Sequence, residues 1–312
     1  MIFVQPEVKL LQQEYTLEGA FKMAEYAGRV CYQSMDKTGS KTPEEFVNML
    51  LESGHGEPVE HATLYLKWDA KDDDYSHKRY NFYKHNKYSV LKTYEDDRNA
   101  YVTTNYRVLV ENNRLNDVAF ICEPIKGKHE PRITVQFISQ NVIAKEAHRH
   151  DSNSKSELST RYCNFSKDKF GHEINVNVPT FVDEKEIEQV KERKSFIQVV
   201  LQFLNELQTK KDGGTDGLTP VDYWYAANAF AEFCYMKEIE GGWVAQQART
   251  ILPLDVNTMF VHTAFLSDWK HFLALRYFGT TGAPHPDMKI LAEKLYNIFV
   301  QQGYVNPTEV LK

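Results

Sequence analysis

The order of secondary-structure signals along the chain is the feature that most constrains its fold. Two short runs, residues 62–68 and 132–138, alternate in polarity and are rich in β-branched or aromatic residues, which is typical of strands. The second half of the chain has mostly helical patterns. Strands early and helices late predict a single α+β domain over residues 1–312. We expect a central, mainly antiparallel sheet with helices packed on it, a helical C-terminal half and an insertion at about residues 70–130.

Helix starts are marked by capping residues. Thr42, Pro43 and Glu45 supply an N-cap, a first-turn proline and a capping-box glutamate. The pair Thr219-Pro220 opens a later helix in the same way. Further helices are predicted at residues 17–31, 186–210, 243–252, 257–278 and 286–302, with a glycine-rich turn at residues 212–217.

Composition excludes several classes of function. A net charge of -6 argues against a broad cationic surface for long nucleic acid, although a small anionic ligand remains compatible. The N-terminal residues Gln5, Glu7 and Lys9 interrupt any signal-like apolar stretch, and no run approaches membrane-spanning length. The four cysteines are widely spaced and form no CxxC pair. We therefore expect a cytoplasmic protein with free thiols and neither nucleic-acid nor membrane partners.

A dense polar run from Arg149 to Tyr162 is the first candidate site. Two arginines, a histidine and four serines fall within a stretch that otherwise looks like a helix and its approach. Guanidinium groups bind phosphate through two parallel hydrogen bonds, and serine hydroxyls satisfy its remaining acceptors. The run therefore suits a nucleotide phosphate. The alternative is a solvated helix face.

Two further groups carry candidate ligands. His55, Glu57, Glu60 and His61 lie between a helix end and a strand start, where binding residues are common. A metal site is the alternative there, but the spacing differs from that of HExxH. The last group contains Arg249 and Arg276, followed by residues 279–285. An arginine that ends an apolar helix is costly to bury without an acceptor, although a surface arginine is the simpler explanation.

Together these groups resemble the flavin-dependent thymidylate synthases. The family signature is RHRxxSxNxxSxR, and this chain departs from it at Asp151 and Ser156. The matching signature residues are Arg149, His150, Ser154, Ser159 and Arg161. Three other family motifs are present, and all four motifs occur in the order that the family has. The three are Gly54-His55 to Glu60-His61, Ala248-Arg249 to Leu252-Pro253, and Leu275-Arg276 with His285.

The resemblance implies FAD-dependent reductive methylation of dUMP to dTMP, with methylenetetrahydrofolate and NADPH as co-substrates. It also implies a homotetramer whose active sites form between subunits. An alternative is a family member that binds nucleotide and flavin but has weak or lost methyl transfer. A third hypothesis is a metal hydrolase built on His55, His61, His148 and His150.

The same resemblance assigns residues to ligands. Arg276 is expected against the uracil ring, where a fixed cation stabilises negative charge at N3 and O4. His55 is the candidate for methylene transfer. The residues implied for dUMP are Glu146, Arg149, Glu157, Leu158, Ser159, Arg161, Arg249 and Arg276. Those implied for FAD are Glu57, Arg149, His150, Asp151, Glu157, His271 and His285.

Asp151 reverses a charge that the family places beside anionic ligands. Two charges about 4 Å apart at an effective dielectric near 20 interact with an energy of roughly 4 kcal/mol, so reversing one charge turns an attraction into a repulsion of similar size. Solvent exposure reduces this energy. We hypothesise that Lys84, Lys87 or Lys92 from the insertion replaces the lost positive charge.

Cys163 follows the signature closely, and unrelated thymidylate synthases use a cysteine nucleophile. Nothing around Cys163 supplies the base that activates such a thiol, and free cysteines are often only buried. The sequence therefore predicts no nucleophilic role for it.

Overall fold

A computed structural model describes residues 1–70, 74–95, 97–193, 201, 205 and 219–307. The glycine-rich turn predicted at residues 212–217 lies outside the described residues, as does most of the helix predicted beyond residue 193. Within the described part of the chain, no helix has both the length and the apolar character needed to cross a membrane.

Helices and strands alternate along most of the chain. The strands are β1 (Ile2–Val4), β2 (Glu7–Leu11), β3 (Thr63–Asp69), β4 (Val90–Lys92), β5 (Asn99–Asn105), β6 (Arg132–Gln140), β7 (Ser154–Glu157), β8 (Asn175–Asn177) and β9 (Asn257–Phe265). The helices are α1 (Leu17–Tyr32), α2 (Pro43–Glu52), α3 (Asp74–His85), α4 (Tyr106–Glu111), α5 (Asn141–Ala147), α6 (Glu184–Arg193), α7 (Pro220–Glu240), α8 (Ala245–Ala248), α9 (Leu266–Arg276) and α10 (Pro286–Gln301).

The predicted α+β class is confirmed, and most strand pairs with a recorded register are antiparallel. One sheet has the order β2-β6-β9-β7, and a second has the order β3-β5-β4. Strands β3 and β4 pair antiparallel with β5, and β7 pairs antiparallel with β9. The short pair β1-β8 is parallel.

Helix capping follows the sequence signals. Thr16 caps α1 by accepting a hydrogen bond from the Gly19 amide, and Thr42 and Glu45 form the predicted capping box of α2. Thr219 caps α7 with a second capping box. Such local hydrogen bonds satisfy backbone N–H groups that the first helical turn leaves unpaired, so they fix where each helix starts.

The chain separates into two compact units, and the single-domain assignment stays a prediction. The larger unit comprises residues 8–137, 147–158 and 259–312. A core of α1, α2, β3 and β5 side chains fills part of it, with Val47, Leu66 and Val102 fully buried. Because β5 and Val102 belong to the segment predicted as an insertion, that segment builds core here.

The smaller unit comprises residues 1–7, 138–146 and 159–258. Val182, Ile187 and Val221 form a small buried cluster in it. Trp224 packs against this cluster, and its indole Nε1 donates a hydrogen bond to Asp255 Oδ2 at 2.6 Å. This bond satisfies the one polar atom of a large aromatic side chain.

The helix predicted over residues 257–278 is wrong in its first half. Residues 257–265 form β9, the strand between β6 and β7, and only residues 266–276 form the helix α9. Phe260, Val261 and His262 are consecutive and all fully buried. A strand covered on both faces shows no alternation of polarity, so its continuous apolar run looks like part of the helix that follows.

Two other helix predictions are also corrected. Residues 149–162 contain turns and the strand β7 rather than a helix, consistent with serine side chains that compete with helical backbone hydrogen bonds. The helix predicted over residues 243–252 shortens to α8 and a 3₁₀ turn at Arg249–Ile251.

Candidate active site

A cleft of about 540 Å³ in the larger unit joins two of the groups found in the sequence. Arg149, His150 and Asp151 line it from the signature run, and His271 and Arg276 line it from α9. The two groups are over a hundred positions apart in the chain. The remaining lining residues are Ser152, Leu275 and residues 281–284.

A hydrogen bond between side chains joins the two walls of this cleft. Arg276 Nε donates to His150 Nε2 at 3.3 Å. The His150 ring is buried, and it packs on Phe272 with ring centroids 4.8 Å apart. Burial, together with the positive charge of Arg276, lowers the pKa of His150 to about 4. His150 is therefore neutral at pH 7, carries its proton on Nδ1 and holds the Arg276 guanidinium in place.

The charge reversal at Asp151 is offset nearby. Asp151 is almost fully exposed, and its carboxylate lies 3.5 Å from Lys155 Nζ. Lys155 also donates a hydrogen bond of 2.6 Å to the carbonyl oxygen of His148. The three lysines hypothesised to replace the lost charge, Lys84, Lys87 and Lys92, are not among the residues that line the cleft. Lys155, from the signature run itself, does not line the cleft either, so it pairs with the Asp151 carboxylate without adding a cation to the lining, and the replacement of the lost charge stays a prediction.

A hydrogen-bonded chain of side chains underlies the signature run. The Asn153 amide nitrogen lies 3.2 Å from His262 Nδ1, and His262 Nε2 lies 2.8 Å from His148 Nδ1. His148 Nε2 lies 2.9 Å from Glu157 Oε2. When the Asn153 amide donates to His262 Nδ1, His262 Nε2 donates to His148 Nδ1, and His148 Nε2 donates to the Glu157 carboxylate. Glu157 is thereby held at the end of β7.

His61 belongs to the core of the larger unit. Its ring is fully buried and bonds to the Thr263 hydroxyl at 2.7 Å and the Ser156 hydroxyl at 3.1 Å. Burial, aided by the positive charge of Arg132, lowers the pKa of His61 to about 3. Ser156 stands where the family signature has asparagine, and in this chain its hydroxyl has a partner in His61.

The other residues of that motif lie at the surface. His55 and Glu57 are exposed at the junction between α2 and β3, as the sequence predicts. The His55 ring nitrogen Nδ1 lies 3.5 Å from the Ser53 hydroxyl. Glu60 forms an ion pair with Arg107 at 2.7 Å. Neither His55 nor Glu57 lines the cleft, so their predicted ligand roles rest on the resemblance.

Four predicted dUMP residues, Glu146, Ser159, Arg161 and Arg249, belong to the smaller unit. Arg161 is exposed, and its Nε donates a hydrogen bond of 2.8 Å to Gln246 Oε1. Arg249 is exposed in the 3₁₀ turn that follows α8. Glu146 and Ser159 are partly exposed.

The remaining predicted residues flank the cleft or the strand beside it. Leu158 is buried, and its amide donates to the Met259 carbonyl oxygen at 2.8 Å. His285 caps α10 by accepting a hydrogen bond from the Asp287 amide. Before it, Gly279 adopts a φ of +67°, and an added Cβ would come within 2.9 Å of the Gly282 carbonyl oxygen. This turn therefore requires glycine at position 279.

The donors of the cleft fit an anionic ligand with several oxygen acceptors. Arg149 and Arg276 supply guanidinium groups, and Ser152 and Thr281 supply hydroxyls. The only carboxylate in the lining is Asp151, which Lys155 pairs. A nucleotide phosphate or the phosphate and carbonyl oxygens of a flavin nucleotide match this donor set.

The metal-hydrolase hypothesis finds no support in the geometry. Among the residues that the structure describes, no group of three or more His, Cys, Asp or Glu side chains is arranged to hold a metal ion. Of the four histidines in that hypothesis, His61 bonds to hydroxyl groups and His150 accepts from Arg276.

The sequence did not predict roles for His262 and Lys155. His262 falls inside the residues mistaken for helix, so no pattern marks it as a buried partner of His148. Lys155 occupies a variable position of the signature. Its spacing of four residues from Asp151 is compatible with an ion pair. Whether the two side chains meet depends on the local backbone conformation, which the sequence does not give.

Comparison with known proteins finds similarity to a protein family, to a phage protein and to two solved structures. The family described as "Thymidylate synthase complementing protein" matches residues 129–302, somewhat more than half of the chain. A probable flavin-dependent thymidylate synthase of Mycobacterium phage D29 is 41% identical over 56 residues, which are 17% of this chain and 24% of that protein. The match therefore spans about a quarter of that relative's length.

Solved structures of the UMP/dUMP methylase PolB from Streptomyces cacaoi are also similar. The structure with 5-Br dUMP is 16% identical, with a TM-score of 0.42 over 96% of this chain and 93% of that one. The structure with 5-Br UMP is 14% identical, with a TM-score of 0.41 over 96% and 92%.

Proposed function

Because the chain belongs to the thymidylate synthase complementing protein family, we propose that it is a flavin-dependent thymidylate synthase. The reaction is the reductive methylation of dUMP to dTMP. Methylenetetrahydrofolate supplies the carbon and NADPH the electrons. The observation that carries the proposal is the cleft in which Arg149 and His150 meet Arg276, since these are the family's motif residues and they form one cationic site.

The residues of the cleft have distinct proposed roles. Arg276 stabilises negative charge that develops on the uracil ring, and its bond to neutral His150 keeps the guanidinium oriented before substrate binds. Arg149 binds the anionic groups of dUMP and flavin. The backbone of Glu157 and Leu158 contributes to the dUMP phosphate site, and His148 holds the Glu157 side chain in place.

Other proposed contacts rest on the family resemblance. Ser159 and Arg161 bind the dUMP phosphate, and Arg249 helps to orient uracil. His271 and His285 contribute to the flavin site, and bound FAD supplies hydride transfer from NADPH to the methylene carbon. We also propose a cytoplasmic homotetramer whose active sites form between subunits.

A direct test combines a spectrum with an assay. We expect the purified protein to be yellow, and to form dTMP from dUMP, methylenetetrahydrofolate and NADPH. Omission of any one component should abolish dTMP formation. A flavin spectrum without dTMP would favour the alternative, a family member that binds nucleotide and flavin but has lost methyl transfer. Colourless protein that forms no dTMP even with added FAD would contradict both.

Cys163 provides a test against cysteine-dependent chemistry. Its side chain is buried, with 1% of the residue exposed, and it is one of four free cysteines. We expect Cys163→Ala to retain dTMP formation within about threefold, with a loss of roughly 1–2 kcal/mol in unfolding free energy from the small cavity left behind. Loss of activity in a variant with a native circular dichroism spectrum would contradict this expectation. Cys122→Ala is the control for loss of a thiol, because Cys122 is also shielded in part from solvent but lies outside the signature run.

A further inference from the structure

A second cavity, of about 460 Å³, also lies in the larger unit and shares no lining residue with the cleft. Its walls come from β2 and the residues after it, from β3, from residues 124–134 and from residues 302–304. The volume is in the range of sites that bind small molecules. Part of one wall comes from the end of the segment predicted as an insertion.

The charge of this lining has one sign. Lys92, Lys126 and Arg132 contribute cationic side chains, whereas no aspartate or glutamate is among the lining residues. Lys92 is neutralised by Glu130 at 2.8 Å. Lys126 is exposed and forms no ion pair within the described part of the chain. A cationic lining in a chain with a net charge of -6 favours an anionic ligand.

Arg132 is the more buried of the two cationic side chains of the lining that form no ion pair in the described part of the chain. It is 9% exposed, and its guanidinium donates to the hydroxyls of Thr63 at 2.8 Å and Ser154 at 2.7 Å. Among the described residues no carboxylate lies within ion-pair distance of it, and Glu60 and Asp268 act on it only from a greater distance. A buried guanidinium that bonds to neutral hydroxyls and has no carboxylate in ion-pair contact keeps a positive charge that is only partly balanced, so an anion in the adjoining cavity is stabilised.

Aromatic side chains form the rest of the recognition surface. The Tyr15 and Tyr65 rings meet edge to face with centroids 5.5 Å apart, and Tyr65 meets His129 in the same way at 5.4 Å. Tyr304 also lines the cavity and is half-buried. Tyr15 keeps 40% of its surface exposed, which is high for a large aromatic side chain. These faces suit a planar ring.

We propose that this cavity is a second ligand site, which binds a planar heteroaromatic ring carrying a phosphate or carboxylate group. The anion is attracted by Arg132 and Lys126, and the ring contacts Tyr15 and Tyr304. Nucleoside monophosphates and folates share this chemistry. The site does not depend on the proposed thymidylate synthase activity, since none of its residues belongs to the cleft.

The test uses crystals of the full chain soaked separately with dTMP and with folic acid. We expect electron density for one of them in the cavity, and the probe that binds identifies the source as nucleotide or folate. Thymidine, which has the ring but no phosphate, should bind at least tenfold more weakly than dTMP if the nucleotide is the ligand. An empty cavity in both soaks overturns the proposal.

Calorimetry with variants locates the same binding event in solution. Lys126→Glu and Tyr304→Ala should each weaken binding of the responsive probe at least tenfold, whereas Lys67→Glu, an exposed lysine outside the cavity, should not. The cavity affinity should persist in Arg276→Gln, which alters only the cleft. Binding that is lost in Arg276→Gln and unchanged in Lys126→Glu overturns the proposal. Formation of dTMP by Lys126→Glu tests the proposed function separately.

Discussion

Arg276→Gln is expected to lower kcat for dTMP formation by about 10²- to 10³-fold, the range typical when one fixed electrostatic group at a reacting centre is removed. The guanidinium is held by the buried, neutral His150 ring, so it is oriented without a cost at the moment of reaction. Glutamine keeps a donor but removes the charge. Since the charge on uracil develops in the transition state, we expect kcat to fall more than KM rises.

Two further variants separate the effect of the Arg276 charge from the general effect of replacing an arginine. Arg276→Lys keeps the charge but not the planar fork or the Nε–H bond to His150, so we expect an activity between those of the parent and Arg276→Gln. Arg98→Gln is the matched control, because Arg98 is an exposed arginine paired with Asp69 at 2.8 Å. It should retain activity within about twofold. A folded Arg276→Gln protein with the parent's kcat would exclude the proposed role of Arg276.

The second large effect is expected on stability in mild acid. His61, His150 and His262 are all buried in the larger unit. Burial lowers their pKa values, to about 3 for His61, about 4 for His150 and well below the ordinary value for His262. Nearby cationic side chains reinforce the shift. The native protein therefore keeps these rings neutral at a pH where the unfolded chain protonates them.

The sign of the effect follows from proton binding. Below about pH 6.5 the unfolded chain takes up a proton at each ring, but native His150 does so only near pH 4 and His61 near pH 3. The stabilisation is fully present above pH 6.5 and is lost as the pH falls. Each ring contributes a slope of about 1.4 kcal/mol per pH unit, so three give roughly 4 kcal/mol per unit. This is comparable with a total stability of about 5–15 kcal/mol.

Urea unfolding at pH 7.5, 6.5, 5.5 and 5.0 measures this dependence. We expect the unfolding free energy to change little between the first two values and to fall steeply below them. His61→Gln should be less stable at pH 7.5 but should show a shallower slope in acid, because one proton-binding ring is removed from the unfolded chain. The exposed His55→Gln is the control for general effects of losing a histidine. Equal slopes for His61→Gln and His55→Gln would contradict the assignment.

Local signals in the sequence were reliable where they depend on neighbouring residues. The capping boxes at Thr42 and Thr219 start helices as predicted, since side chain and backbone partners are three residues apart. The strand β9 was missed for the opposite reason. Its burial on both faces depends on β6 and β7, which are distant in sequence, so the run from Phe260 to His262 carries no strand period.

The sequence by itself determined the family motifs, the residues that carry them and the signs of their charges, because these are properties of residue type and order. Only the tertiary structure decided which of them meet. It joins Arg149 and His150 to Arg276 in one cleft and leaves His55 outside its lining. It also pairs the half-buried His148 with the fully buried His262. Such contacts require strand pairing and burial between distant segments, and no local propensity encodes them.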